Sequence, residues 1–275
     1  MRRLVTAGVL GLALASVAGA PAGAGSAPLI AAHRGGALLW PENSLLAFEN
    51  ALALGVDFLE GDVHLTADGE VVVLHDPTLE RTTTGRGAVR DARRAELAGL
   101  RLRGRDAAPT AEPIPTLVQL LELLGPSRAR LLLEIKVDAD RQRYPGIEEK
   151  VLALVRRHGL GERVVIMALE PETLKRVRAL DGSIATALLV GRGQVERERV
   201  WPAEFVRRAK TLGALYLGIN HRLVDADVMA AARTAGIRVA VWTVNEAADL
   251  RRVIDLGVDV VITDRPDLAR RLSGR

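Results

Sequence analysis

Short, almost wholly apolar runs recur along the chain, and a stretch with helical spacing follows nearly every one. Residues 29–32, 58–63, 130–135, 164–168, 184–190, 215–219, 238–244 and 260–263 read as eight strands. Runs that do not alternate with polar residues belong to strands covered on both faces, the condition of a parallel sheet. Helical patterns fall at 45–54, 116–124, 147–158, 203–212, 225–235 and 247–256, with another opened by Pro171 at its favoured first-turn position. Asp225 is a predicted N-cap and Gly236 a predicted stop. Eight βα units favour a closed TIM-type (β/α)8 barrel over an open doubly wound sheet, and 275 residues suit one barrel of about 250.

One stretch breaks the rhythm. Thr66-Ala67-Asp68-Gly69 is a predicted tight turn leading to an outward strand at 71–74. Residues 77–115 then carry Thr, Gly, Arg and Pro with a single short helical pattern near 93–100. They read as an insertion over the barrel mouth, with apolar residues too scattered for a core of their own.

The first 24 residues read as a secretory signal. Arg2 and Arg3 precede the apolar stretch 4–18, and Ala18-Gly19-Ala20 and Ala22-Gly23-Ala24 place cleavage after Ala20 or Ala24. The stretch falls short of the roughly 20 residues of a stable membrane span. The expectation is therefore a secreted or extracytoplasmic protein, signal 1–24 and barrel 25–275. With no cysteine, a lipid anchor on that residue and disulfides are both excluded. Losing Arg2 and Arg3 with the signal takes the net charge from +4 to +2, too little for a nucleic-acid partner. The oligomeric state is not legible.

Polar groups sit where the strands end, which in a β/α barrel is the catalytic face. His33 follows the first run, Glu60 and Asp62 lie in the second, His75 closes the outward strand, and Glu134 ends the third barrel strand. Glu60 and Asp62 are two apart and share a face. Facing inward, they repel and take up protons unless a cation intervenes. Three carboxylates without a thiolate suit one hard divalent cation, Ca²⁺ or Mg²⁺, with Mn²⁺ also compatible. His33 and His75 are candidate general acid and base. Lys136 shares the face of Glu134, and Arg34 offers a fork for a phosphate. Gly35 and Gly36 would let backbone approach a ligand. His64 and His158 read as structural, and His221 stands in reserve.

In order and spacing these pieces resemble one family. His33-Arg34-Gly35, Pro41-Glu42-Asn43-Ser44, Glu60-Gly61-Asp62 through Gly69, and Val73-Leu74-His75-Asp76 match glycerophosphodiester phosphodiesterases. So do Ile114-Pro115-Thr116-Leu117, Glu134-Ile135-Lys136, Trp242-Thr243-Val244-Asn245 and Thr263-Asp264-Arg265-Pro266. The resemblance runs from about Ile30 to Leu268. It implies a TIM-type barrel and a divalent metal held by Glu60, Asp62 and Glu134. It makes His33 and His75 acid and base, puts Arg34 and Lys136 on the phosphate, has Glu42 and Asn43 brace the site, and makes Trp242 a wall against the alcohol. One departure stands out. Many members end the fourth barrel strand in Ser-Phe, where this chain has Met167-Ala168-Leu169, and that bears on head-group preference. The expected reaction is hydrolysis of a small glycerophosphodiester to glycerol 3-phosphate and an alcohol. A lysophospholipase-D-type enzyme ranks second, needing an apolar rim that the basic insertion lacks. A non-catalytic glycerophosphodiester-binding protein ranks third.

Overall fold

The computed structural model describes residues 27–275. The signal read at 1–24 lies outside them. Nine strands form among the described residues: β1 (Leu29–Ala32), β2 (Phe58–Leu65), β3 (Val71–Val73), β4 (Arg130–Ile135), β5 (Val164–Ala168), β6 (Ala185–Val190), β7 (Tyr216–Asn220), β8 (Arg238–Trp242) and β9 (Val260–Thr263). Eight run parallel in the order β1, β2, β4, β5, β6, β7, β8, β9. The ring closes because β1 pairs with β2 (Ala31 opposite Phe58) and with β9 (Ala31 opposite Ile262). This is the TIM-type barrel read from the sequence. β3 stands outside the ring, antiparallel to the end of β2 with Val63 opposite Val73.

Local chemistry sets the helix starts. Ser44 accepts the Ala47 N–H at the head of α1 (Leu45–Ala53). The short α2 (Arg94–Leu97) lies in the insertion. Thr116 and Gln119 form a reciprocal capping box at α3 (Leu117–Leu124). The ring continues with α4 (Ile147–Arg157) and α5 (Pro171–Leu180), then α6 (Arg192–Glu198) and α7 (Glu204–Thr211). Asp225 caps α8 (Ala226–Ala235), which Gly236 ends in the left-handed region at φ +68°. The chain finishes with α9 (Ala247–Asp255) and α10 (Pro266–Leu272). No helix among the described residues is long and apolar enough to cross a membrane. The pattern reading missed α6, because none of its residues is buried and it has no apolar stripe to detect.

Side chains fill the barrel in two shells. Phe58, Leu132, Val165, Met167, Leu189, Tyr216 and Ile262 pack inside the ring, and the outward faces of the strands bury Leu and Val against the helices. On β2, Phe58, Glu60 and Asp62 share the inward parity, so the apolar floor turns into an acidic mouth on one strand. The insertion's apolar residues lean on β3. The dispersed Leu79, Val89, Leu97, Leu102 and Ile114 converge in one cluster with Val72 and Leu74 beside β3. Their spacing follows loops rather than a helix or strand, so periodicity could not reveal the cluster.

Candidate active site

The loop after β1 folds back across the mouth. Arg34 takes φ +52°, and its N–H donates to Glu60 Oε2 at 2.8 Å while its carbonyl accepts the Asn43 N–H at 2.9 Å. Gly35 is required by packing: an added Cβ would stand 2.7 Å from the Ala47 Cβ and 2.9 Å from its carbonyl carbon. That packing seats the loop on α1. Asn43 donates to Asp62 Oδ2 at 3.0 Å.

Glu60, Asp62 and Glu134 meet at the centre, each offering an oxygen within 4.8 Å of the others. Lys136 Nζ donates to Glu134 Oε1 at 2.9 Å and lies 3.5 Å from Asp62 Oδ1. The expected repulsion splits the pair. Burial and the charge of Asp62 push Glu60 up to about 8. Asp62 is buried as deeply, yet Lys136, His75 and Arg34 hold it well below the usual carboxylate range. Burial raises Glu134 despite Lys136.

Both imidazoles are held the same way. His33 Nδ1–H donates to Asp264 Oδ1 at 2.6 Å, and Nε2 lies 4.0 Å from Glu60 Oε2. His75 Nδ1–H donates to Asp76 Oδ1 at 2.6 Å. Burial opposes the charged form of His33, but Glu60 and Asp264 outweigh it and its pKa is raised. At His75 burial prevails over Asp62, so its pKa is lowered. His33, His75, Arg34, Glu60, Glu134, Lys136 and Trp242 all line one pocket at the mouth of the barrel.

Several positioning contacts had no sequence signal of their own. Asp264 is itself bound by Asn245 Nδ2 at 2.7 Å. Arg81, from the insertion, donates to both oxygens of Asp76 at 2.6 and 2.8 Å and to both oxygens of Glu42 at 2.8 and 2.9 Å. Glu42 also accepts from Arg34 at 3.0 Å. A continuous charged network therefore ties His75 to Arg34 through the insertion. Asp264 and Asn245 stand in motifs that carry the family resemblance; Arg81 stands in none. The remaining histidines are structural. His64 is buried between the Tyr144 hydroxyl at 2.9 Å and the His75 carbonyl at 3.0 Å, and burial lowers it to about 4. His158 donates to the Leu154 carbonyl at the end of α4. His221 lies outside the pocket, its carbonyl held by Arg252.

A cation would fit this centre. Six carboxylates (Glu42, Glu60, Asp62, Asp76, Glu134, Asp264) crowd around three permanent cations (Arg34, Arg81, Lys136). Asp62 Oδ1 is buried without a hydrogen bond, 3.5 Å from Lys136 Nζ and beside the other two carboxylates. The Arg34 Nε–H is likewise buried without a hydrogen bond, in an ion pair 3.5 Å from Asp62 Oδ2. Such a site suits a hard cation beside a phosphate oxygen.

Fold and site together describe a β/α-barrel enzyme shaped for a phosphate ester. The model of the glycerophosphoryl diester phosphodiesterase family matches residues 33–268; the chain belongs to that family and is a phosphoric diester hydrolase. A glycerophosphodiester phosphodiesterase of Caldanaerobacter subterraneus subsp. tengcongensis is 35% identical over 243 residues, covering 87% of this chain and 95% of the relative. One from Bacillus subtilis is 31% identical over 260 residues, covering 89% and 86%. Among solved structures, an Agrobacterium tumefaciens protein assigned to the same enzymes superposes with a TM-score of 0.82 at 29% identity, covering 90% of this chain and 97% of that one. An Oleispira antarctica phosphodiesterase, solved in complex with the product sn-glycerol-3-phosphate, gives 0.77 at 27% identity with coverage of 90% and 97%.

Proposed function

We propose that the chain hydrolyses glycerophosphodiesters to glycerol 3-phosphate and an alcohol at the mouth of the barrel, outside the cytoplasm. The observation that carries this is one pocket lined by two imidazoles, each fixed at Nδ1 by an aspartate, and by Glu60 and Glu134, whose oxygens converge with that of the buried Asp62. Glu60, Asp62 and Glu134 would hold one divalent cation, Ca²⁺, Mg²⁺ or Mn²⁺. When bound it supplies charge neutralisation for the phosphate in the transition state. Arg34 and Lys136 contact phosphate oxygens. The aspartates leave each Nε2 free for the substrate. His75, with its lowered pKa, enters neutral and takes the proton of the nucleophile, either water, which gives glycerol 3-phosphate directly, or the neighbouring glycerol hydroxyl, which gives a cyclic phosphate that a water then opens to it. His33, with its raised pKa, enters charged and protonates the departing alcohol oxygen. Trp242 walls the side from which the alcohol leaves.

The test is release of glycerol 3-phosphate from a panel of glycerophosphodiesters, with and without chelator. Release that stops with chelator and returns with added divalent cation supports the reading. No release from any member, or release indifferent to chelator, removes it. Lysophospholipids remain second, since ionic side chains of the loop after β4, of α6 and of α7 border the pocket.

Arg81 is expected to position His75 through Asp76. In Arg81→Met, kcat should fall about tenfold with KM nearly unchanged, because small displacements of a proton carrier cost rate more than binding. Arg81→Lys should recover little, lacking the fork that grips two carboxylates. Steady-state kinetics of both variants check this; an effect on KM alone would contradict it.

A further inference from the structure

A second groove adjoins the pocket and shares Glu134, Lys136, Leu169 and Trp242 with it. Its outer wall carries Arg141 from the loop after β4, Glu170 from the loop after β5, Gln194, Arg197 and Glu198 from α6, and Arg208 from α7. Arg208 and Glu198 pair with each other, and Gln194 donates to Glu198 at 2.9 Å. The side chains of Arg141, Arg197 and Glu170 make no hydrogen bond or ion pair among the described residues. Trp242 Nε1–H, on the shared wall, is buried with no partner. The open inventory is therefore two guanidiniums and an indole donor against one carboxylate. The backbone at Arg141 is also held in place, with the side chain exposed. Its left-handed φ of +62° is held by Asp138, which accepts the N–H groups of Asp140 and Gln142 at 2.9 and 2.8 Å and is itself gripped by Arg90 of the insertion at 2.6 Å.

We infer that this groove receives the leaving alcohol and selects alcohols that carry an anionic group, a carboxylate or a phosphate, on Arg141 and Arg197. The inference rests on the phosphodiesterase reading above and adds the class of alcohol to it. Guanidiniums bind both anions through paired, charge-assisted hydrogen bonds. Glu170 suits an ammonium, so an amino-acid head group satisfies the whole wall, whereas a purely cationic head group leaves both arginines unmatched.

Glycerophosphoserine and glycerophosphoethanolamine differ by one carboxylate and make the decisive pair. Glycerophosphoinositol with and without a 4-phosphate tests the phosphate source. The wild-type chain should favour the anionic member of at least one pair by about tenfold in kcat/KM, and the double variant Arg141→Gln, Arg197→Gln should bring that ratio to about one. The pair that responds names the anion. Equal rates within both pairs, a preference for the uncharged or cationic member, or a preference that survives in the double variant each overturn the inference while leaving the phosphodiesterase reading intact. Failure to release glycerol 3-phosphate from any of the four removes that reading, and this one with it.

Discussion

Replacing His33 with alanine is expected to slow glycerol 3-phosphate release from glycerophosphocholine by about 10²–10⁴, and most of that loss should vanish when the leaving group is p-nitrophenol. His75→Ala should lose about as much on both substrates. The difference follows from where each imidazole stands. A charged His33, bound to Asp264 at 2.6 Å and facing Glu60, is suited to give a proton. Choline leaves as an alkoxide unless protonated, whereas a nitrophenolate needs little help. His75 is neutral at lower pH than an ordinary imidazole, so it can accept a proton from the nucleophile whatever leaves. The pH profile then has fixed limbs. Activity falls as pH drops through the pKa of His75, below 6.5, and as pH rises through that of His33, above 6.5. Kinetics of both variants on both substrates check the assignment. Rescue of His75→Ala instead of His33→Ala would exchange the roles, and equal loss everywhere would remove them.

The barrel could be read because its strands are continuous apolar runs with capped helices between them, and such features depend only on neighbours in sequence. Glu60 and Asp62 share a face by strand parity, so their meeting was legible once β2 was. Their opposite charge states were not. That split depends on Lys136 and Arg34 reaching Asp62 from a different strand and a loop. Arg81 was invisible for a similar reason: it lies 39 residues from Glu42 in sequence, in a segment whose fold follows no period. The aspartates behind the imidazoles show both cases. Asp76 adjoins His75 and could be suspected, while Asp264 is 231 residues from His33 and is brought to it only by closure of β9 onto β1. The close packing of Gly35 on Ala47 of α1 was likewise out of reach of the sequence, since it depends on how the loop folds back over that helix.

In the presence of chelator, the protein should lose stability as pH rises from 6.5 to 8, and a divalent cation should abolish the dependence. The cause is Glu60, whose folded pKa of about 8 lies above its ordinary 4.5. Over that interval the folded chain holds a proton that the unfolded chain has given up, so raising pH favours unfolding. His33, also raised, acts in the same direction above 6.5. His75, His64 and His221 are lowered, so their unfolded imidazoles shed the last of their protons just above 6.5 and oppose the trend there by at most about 0.4 kcal/mol each, less in sum than Glu60 contributes, while Asp62 changes only in acid. A slope of one proton across 1.5 pH units is about 2 kcal/mol, which for a chain of this size moves Tm by roughly 4–8 °C. Bound cation stabilises the ionised carboxylates and brings their pKa values down, which removes the excess proton and the slope with it. Glu60→Gln should flatten the chelated curve as well, because glutamine has no proton to lose. Thermal melts at pH 6.5 and 8, with chelator and with added Ca²⁺ or Mg²⁺, read the effect without reference to turnover. A melting temperature indifferent to pH under chelation would mean that Glu60 is ionised without a cation. The three carboxylates would then need nothing beyond Lys136 and Arg34 to share their pocket.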